Sequence, residues 1–204
     1  MKERYELLYS RKDINQSIGR LASEITANYN GDNSKYGENP LFITLMRGAL
    51  QFSGKLMEEI ARQAPDFHPE VDYMMTSRQP EFVTPHDQTK IIMDIAPDTE
   101  VKNRNVIIVD NVLDMGETAA AVRQHVLDMG ARYVELAVLV EKEGVDRSAN
   151  ITADYVGFSD APNKFLVGMG MKDISDIKEA HRWADHISIV NPTETQPQHA
   201  ILAQ

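Results

Sequence analysis

The chain has 204 residues, of which 42% are hydrophobic: enough for one domain with a real core, too few for several. Its formal charge of −10 disfavours non-specific nucleic-acid binding but not anionic small molecules, which need only a local positive pocket. The absence of cysteine excludes disulfides and thiolate zinc sites; the polar opening "MKERYELLYSRKDINQ" lacks a signal-peptide core, and no apolar run approaches the ~18 residues of a membrane span, so a soluble, cytoplasmic protein is expected.

Residues 13–29 are predicted to form a helix, because Ile14, Ile18, Leu21 and Ile25 fall on one face. "GDNSKYGENP" (31–40) is a loop by its Gly, Asn and Pro. "LFITLM" (41–46) suits a strand buried on both faces; Arg47-Gly48 interrupts it, and 49–63 resumes with helical spacing. Pro65 and Pro69 bound a loop before the strand "EVDYMMTS" (70–77). Residues 78–104 hold three prolines and one apolar patch, Ile91-Ile92-Met93, and are too long for a plain connection, so a flap or two-stranded excursion is expected there. A strand over 105–110, a turn, a helix through Met129 with Gly130 as its C-cap, and a strand over 133–140 follow. "ADYVGF" and "KFLVGMGM" read as short strands. The expected organisation is a single domain over 1–190 and a polar tail over 191–204. Strands and helices in this order predict an α/β fold with a largely parallel central sheet flanked by helices, and such sheets bind ligands at the carboxyl ends of their strands.

The stretch "VIIVDNVLDMGET" (106–118) ends one of those strands. If 106–109 is central, Asp110 and Asn111 lie at its carboxyl edge, where both accept hydrogen bonds from sugar hydroxyls. A glycine turn at a helix start presents unpaired amides to an anion, and Thr118 adds a hydroxyl, which together make a phosphate cradle. Asp114 would then be a carboxylate beside a phosphate, a placement that makes sense for a group handling a proton. The alternative is structural, since Asp, Gly and Thr are ordinary turn and cap residues. Neither the dinucleotide nor the P-loop fingerprint is present. The six histidines are scattered without a metal-ligand spacing.

The same stretch resembles the phosphoribosyl-pyrophosphate (PRPP) signature of type I phosphoribosyltransferases, in which a strand ends in two acids and two apolar residues precede D-T-G-x-T. The likeness extends over most of the chain and is closest to the hypoxanthine-guanine branch. "LLYSRKDINQSIGRLASEITANY" is similar to that branch's opening strand and helix, "LMRGALQFSGKLM" to its pyrophosphate-loop segment, and "VDYMMTS" to the strand entering its flexible loop. "LVEK" and "NKFLVGMGM" resemble its base-binding segments. The resemblance adds a small hood and a flexible loop to the expected fold.

It also implies residue roles. Asp110 and Asn111 hold the ribose hydroxyls, Asp110 with a contact to Mg²⁺. Asp114 serves N7 of the purine. Asp114, Met115, Gly116, Glu117 and Thr118 form the 5′-phosphate turn. Met46, Arg47 and Gly48 form the loop that meets pyrophosphate, often through a non-proline cis bond. Lys142 reads the 6-oxo group, Phe165 stacks on the base and the Leu166 backbone meets its edge; read alone, Lys142 would be a solvated loop lysine and Phe165 a core residue. Arg182 corresponds to a pyrophosphate-binding arginine and Asp173 to a metal-contacting aspartate. The implied reaction moves ribose-5-phosphate from PRPP to N9 of a 6-oxopurine, with Mg²⁺ on the pyrophosphate, no nucleic-acid or membrane partner, and a homo-oligomer (dimer or tetramer) with helix 49–63 as a candidate contact.

Four positions depart from that pattern. Asn111 replaces the second acid, Met115 replaces a threonine, Ser77-Arg78 replaces Ser-Tyr, and Lys172 stands in the ungapped place of the base-pocket aspartate, with Asp173 following. They keep two alternatives open: a PRPP- or nucleotide-binding protein without turnover, and an enzyme for another base. The segment 78–90 is the expected lid.

Overall fold

The structure, a computed structural model, describes residues 4–30, 39–77, 89–147, 150–173 and 181–191. In chain order the elements are β1 (Tyr5–Tyr9), α1 (Arg11–Tyr29), β2 (Leu41–Met46), α2 (Leu50–Gln63), β3 (Glu70–Ser77), β4 (Lys90–Met93), β5 (Asn105–Leu113), α3 (Glu117–Asp128), β6 (Tyr133–Lys142), β7 (Tyr155–Ala161), β8 (Leu166–Val167) and β9 (Ile187–Val190). Six strands form a central sheet in the order β4-β3-β2-β5-β6-β7, parallel except for β4. The other three, β1-β9-β8, form a separate antiparallel hood.

The apolar strand runs sort onto two faces with period two. Phe42, Ile107, Val109 and Leu139 join the core under α1 and α2. Leu41, Ile43, Val106, Ile108, Leu136 and Val138 join the core under α3. The stripe Ile14, Ile18, Leu21, Ile25 is fully buried against the first face, as its spacing predicts. Helix α1 starts at Arg11, two residues before the expected 13, because Ser10 and Asp13 close a capping box: the Asp13 amide donates to Ser10 Oγ at 3.3 Å and Asp13 Oδ2 accepts the Ser10 amide at 2.9 Å. Hood residues Leu166, Met169, Ile187 and Ile189 are buried in the α1/α2 core, which fixes the hood against the sheet.

Where the excursion after Ser77 is expected, the described residues form an edge strand: Ile91-Ile92-Met93 lies in β4 and pairs back, antiparallel, onto β3. Asp72 ties its return to the sheet, accepting from Thr99 Oγ1 at 2.6 Å and from the Ala96 amide at 2.9 Å. Most of the expected lid (78–88) and all but the first residue of the tail (192–204) lie outside the described residues. Among those described, no helix is long and apolar enough to cross a membrane.

Candidate active site

Strand β5 is longer than its apolar run suggests. Its pairing with β2 stops at Thr44–Val109, whereas its pairing with β6 continues to Leu113–Glu141. Asp110 and Asn111 therefore lie within a strand, not after it, yet past its last pair with β2, and both line a cleft. The Asn111 amide donates to Asp110 Oδ1 at 2.8 Å. After Leu113 the chain turns through Asp114 and Met115 to Gly116, which has φ of +82° and begins α3. A glycine there adopts the left-handed conformation without strain and makes no side-chain cap to the helix, and the positive end of the α3 dipole faces this turn.

The cleft at these strand ends has a volume of about 290 Å³. The β5–α3 segment supplies Asp110, Asn111, Asp114, Met115, Gly116 and Thr118, and the opposite wall comes from Lys142, Phe165, Leu166, Met171 and Lys172. Glu117, the first residue of α3, does not line it.

Lys142 is the last residue of β6, paired with Ala161 of β7, rather than a loop lysine. Its side chain is 10% exposed, and Nζ lies 2.5 Å from Asp114 Oδ2, whose side chain is 30% exposed. The expected proton-handling carboxylate and the expected base-reading ammonium are thus one ion pair at the cleft wall. Arg147, which sequence reasoning missed, stands behind it. Its Nε donates to the Asp114 carbonyl and its Nη2 to the Lys142 carbonyl, each at 3.0 Å. Nη2 also lies 3.1 Å from Glu141 Oε1. Arg147 follows an irregular turn after Lys142, so no periodicity pointed to it.

On the hood side, Phe165 and Leu166 enter the cleft from the start of β8. A tight turn, Gly168 bridged to Met171, then folds the chain back and leaves Lys172 exposed on the cleft wall. Asp173 does not line the cleft. It is buried, held by Arg4 Nη2 at 2.6 Å and by the Tyr5 hydroxyl at 3.0 Å. That hydrogen bond raises the Arg4 pKa, while burial, and then the hydrogen bond to Asp173, raise that of Tyr5. The cleft position after Met171 thus belongs to a lysine.

The Met46–Arg47 peptide is cis. Neither residue lines the described cleft; Arg47 is exposed. Gly48 is the contact between this loop and the site, since a Cβ there would lie 3.0 Å from Asn111 Nδ2. From the other side Gly170, with φ of +91°, presses so closely that its Cβ would fall 1.8 Å from the Gly48 carbonyl oxygen. Arg182 is buried behind that contact: Nε donates to the Gly170 carbonyl at 3.0 Å, and the Gly170 amide donates to the Arg182 carbonyl at 2.8 Å. Arg182 thereby braces the hood loop against the Met46–Gly48 loop and does not line the cleft.

Among the described residues no group of three or more His, Asp or Glu side chains is placed to hold a metal ion by itself. The cleft carboxylates are Asp110 and Asp114, and the latter is paired with Lys142. This donor set fits a cation that arrives with phosphate ligands of its own, as Mg²⁺ does, through Asp110; it does not form an all-protein cage.

An α/β sheet with its cleft at the strand ends, an open helix start on one side and an aromatic wall on the other is the architecture of proteins that handle phosphorylated sugars and nucleotides. Residues 5–174 match the phosphoribosyl transferase domain, and the chain belongs to that family. It is similar to the hypoxanthine-guanine phosphoribosyltransferase of Streptococcus agalactiae serotype V, with 32% identity over 91% of this chain and 92% of that one. The enzyme of the same name from Streptococcus thermophilus (strain CNRZ 1066) is 30% identical over 93% and 94% of the two chains. A crystal structure of a Staphylococcus aureus hypoxanthine phosphoribosyltransferase superposes with a TM-score of 0.78 at 24% identity, covering 94% of each chain, and shares the fold.

Proposed function

We propose that this protein is a purine-salvage phosphoribosyltransferase that moves ribose-5-phosphate from PRPP to N9 of a 6-oxopurine, hypoxanthine or guanine, and releases pyrophosphate. The observation that carries the reading is the Asp114–Lys142 pair at 2.5 Å, set between an open helix start and Phe165 in one cleft.

The roles follow from position. Gly116 and the first-turn amides of α3, with Thr118, receive the 5′-phosphate; Met115, half-buried beside them, adds no donor. Asp110 and Asn111 hydrogen-bond the ribose hydroxyls from the strand edge. Phe165 stacks on the base, and the Leu166 backbone meets its edge. The ammonium of Lys142 donates to the 6-oxo oxygen, and the carboxylate of Asp114 handles the proton at N7 as the base's charge changes along the reaction. The Met46–Gly48 loop, with its cis peptide, meets the pyrophosphate, and Arg182 supports it through Gly170. Mg²⁺, when bound, neutralises and orients the pyrophosphate leaving group. Asp110 fits it on the protein side, whereas the Asp173 carboxylate is already engaged by Arg4 and Tyr5. Water competes at the anomeric carbon, so a lid over 78–90 would serve to exclude it. The chain would work in the cytoplasm as a homo-oligomer, with α2, whose Leu50 is 40% exposed, as a candidate contact.

The test is release of pyrophosphate from PRPP and Mg²⁺ with each base in turn. Release that depends on hypoxanthine or guanine is expected. PRPP binding without turnover on any base would replace this reading with that of a PRPP-sensing protein, a role for which Asn111, Met115 and Lys172 speak. Turnover confined to xanthine or uracil would move the enzyme to another base.

A further inference from the structure

Arg147 belongs to no role assigned above, yet it is the group on which the reacting pair hangs. Asp114 and Lys142 come from different connections, one from the turn after β5 and the other from the end of β6. Their side chains meet at 2.5 Å, and their main chains are tied separately, because one guanidinium donates to both carbonyls at 3.0 Å. The ring is closed: carboxylate to ammonium on the cleft side, carbonyl to guanidinium to carbonyl behind it. Glu141, at 3.1 Å, holds the fork from the remaining direction and offsets its charge. The Arg147 side chain is only 20% exposed, so solvent does not compete freely for these donors.

We infer that Arg147 is the positioning residue that sets the distance between the 5′-phosphate turn and the base-reading lysine. The inference rests on the reading above, in which Asp114 begins that turn and Lys142 holds the base. The turn fixes where the anomeric carbon sits, and Lys142 fixes where N9 sits. The guanidinium joins the two supports in a rigid plane that a lysine cannot reproduce, since a point charge on a flexible stem reaches one carbonyl well and the other poorly. Arg147 touches neither substrate in this arrangement. Its loss should leave binding of each substrate nearly intact and spoil their alignment, and misalignment on the scale of 1 Å costs on the order of 10²-fold in rate.

The experiment is steady-state kinetics on the wild-type chain, Arg147→Ala, Arg147→Lys, Lys142→Met and the double variant Lys142→Met/Arg147→Ala, with thermal melting of each. The expected result for Arg147→Ala is a kcat lower by about thirtyfold or more, with KM for PRPP and for hypoxanthine within about threefold. Arg147→Lys falls between it and wild type, and added guanidinium restores part of the Arg147→Ala rate. The double variant is no slower than Lys142→Met by more than about threefold, because Arg147 acts through that residue. If Arg147→Ala does not fold, the same split between kcat and KM is read on Arg147→Lys. A kcat unchanged in a folded variant, a loss carried wholly by KM, or losses that multiply in full in the double variant would each overturn the inference. Absence of turnover in the wild type would instead strike the underlying reading, before any variant is compared.

Discussion

Replacing Lys142 by methionine separates the two roles that its ammonium combines. The substitution keeps the length of the side chain and removes only the charge and donors. For stability, the question is what happens to Asp114. Breaking a wholly buried ion pair costs ~3–5 kcal/mol, because the remaining charge is left unpaired and dry. Asp114 keeps 30% of its side-chain surface in water, against 10% for Lys142, so its carboxylate is rehydrated at the cleft and the cost falls to ~1–2 kcal/mol. In a chain of this size that lowers Tm by roughly 2–8 °C. For function, the interaction lost under the proposed role is a charge-assisted hydrogen bond to the 6-oxo oxygen, worth ~1.5–3 kcal/mol, or about tenfold to 150-fold in kcat/KM for hypoxanthine. KM for PRPP should move by less than about threefold, and discrimination against 6-aminopurines should shrink, since the group that rejects an amino donor is gone. Pyrophosphate release measured with each substrate varied in turn, beside a thermal melt of the free protein, reads all three quantities. The reasoning fails if KM for PRPP rises by tenfold or more while kcat/KM for hypoxanthine holds, because Lys142 would then serve the phosphate half of the cleft.

Asp114→Asn should lower kcat by about 10²–10³-fold and leave PRPP affinity within a few-fold, as expected for loss of general acid–base catalysis; equal losses in both, by kinetics and direct PRPP titration, would remove the proton-handling role. Met115→Thr restores a hydroxyl beside the phosphate turn and should tighten PRPP binding by up to about tenfold or somewhat more, read by titration calorimetry. Gly170→Ala should melt well below wild type and weaken PRPP binding, because the new Cβ would stand 1.8 Å from the Gly48 oxygen at a φ of +91°; an unchanged Tm and KM would show that the two loops part freely. Burial pushes the Asp72 carboxyl up, but hydrogen bonds from Thr99 and the Tyr73 and Ala96 amides outweigh it, and its pKa lies below the ordinary 3.8. A depressed carboxylate stabilises the fold above its unfolded pKa and loses that contribution as pH falls through the folded value. Asp72→Asn should therefore be less stable than wild type at pH 7, with the gap closing below about pH 4 in denaturant titrations.

The parallel sheet was legible because burial on both faces leaves 41–46 and 133–140 as nearly unbroken apolar runs, and each coincides with an observed strand to within two residues, as does the more mixed 70–77, in which only Met74 is buried. The end of β5 was not, because Asp110 and Asn111 read as a strand terminus whereas β6 keeps pairing past them. The hood was harder still. Leu166–Val167 falls inside "KFLVGMGM", which reads as a short strand, but Tyr5–Tyr9 and Ile187–Val190 pair across nearly the whole chain, so no local pattern announces their partnership. At the site, residue types at the strand ends gave Asp114 and Gly116, but their partners depend on tertiary placement. That Lys142 is half-buried at a strand end, that Arg147 returns to two carbonyls, and that Lys172 rather than Asp173 faces the cleft all follow from how β6, β7 and the hood turn converge.

The departures from the family pattern that reach the cleft leave Asp114 and Lys142 in place. Asn111 removes a negative charge at the expected ribose edge and Met115 a donor from the expected phosphate turn, so both bear on the grip on PRPP; Lys172 puts a positive charge on the cleft wall where the base-pocket aspartate is expected, and bears on the surroundings of the base and the metal. Two of them make the cleft more positive, which favours a polyanion even as the metal loses carboxylate ligands. The pair proposed to act on the base itself is retained: Asp114, Lys142 and the Arg147 fork form a closed, hydrogen-bonded set. A protein that had abandoned turnover and kept only PRPP sensing would be expected to preserve the phosphate half and let the proton-handling half drift. Here the proton-handling pair is kept while Asn111 and Met115 alter the phosphate half, and that distribution favours an enzyme with an altered grip on PRPP over a binding protein that has lost its reaction.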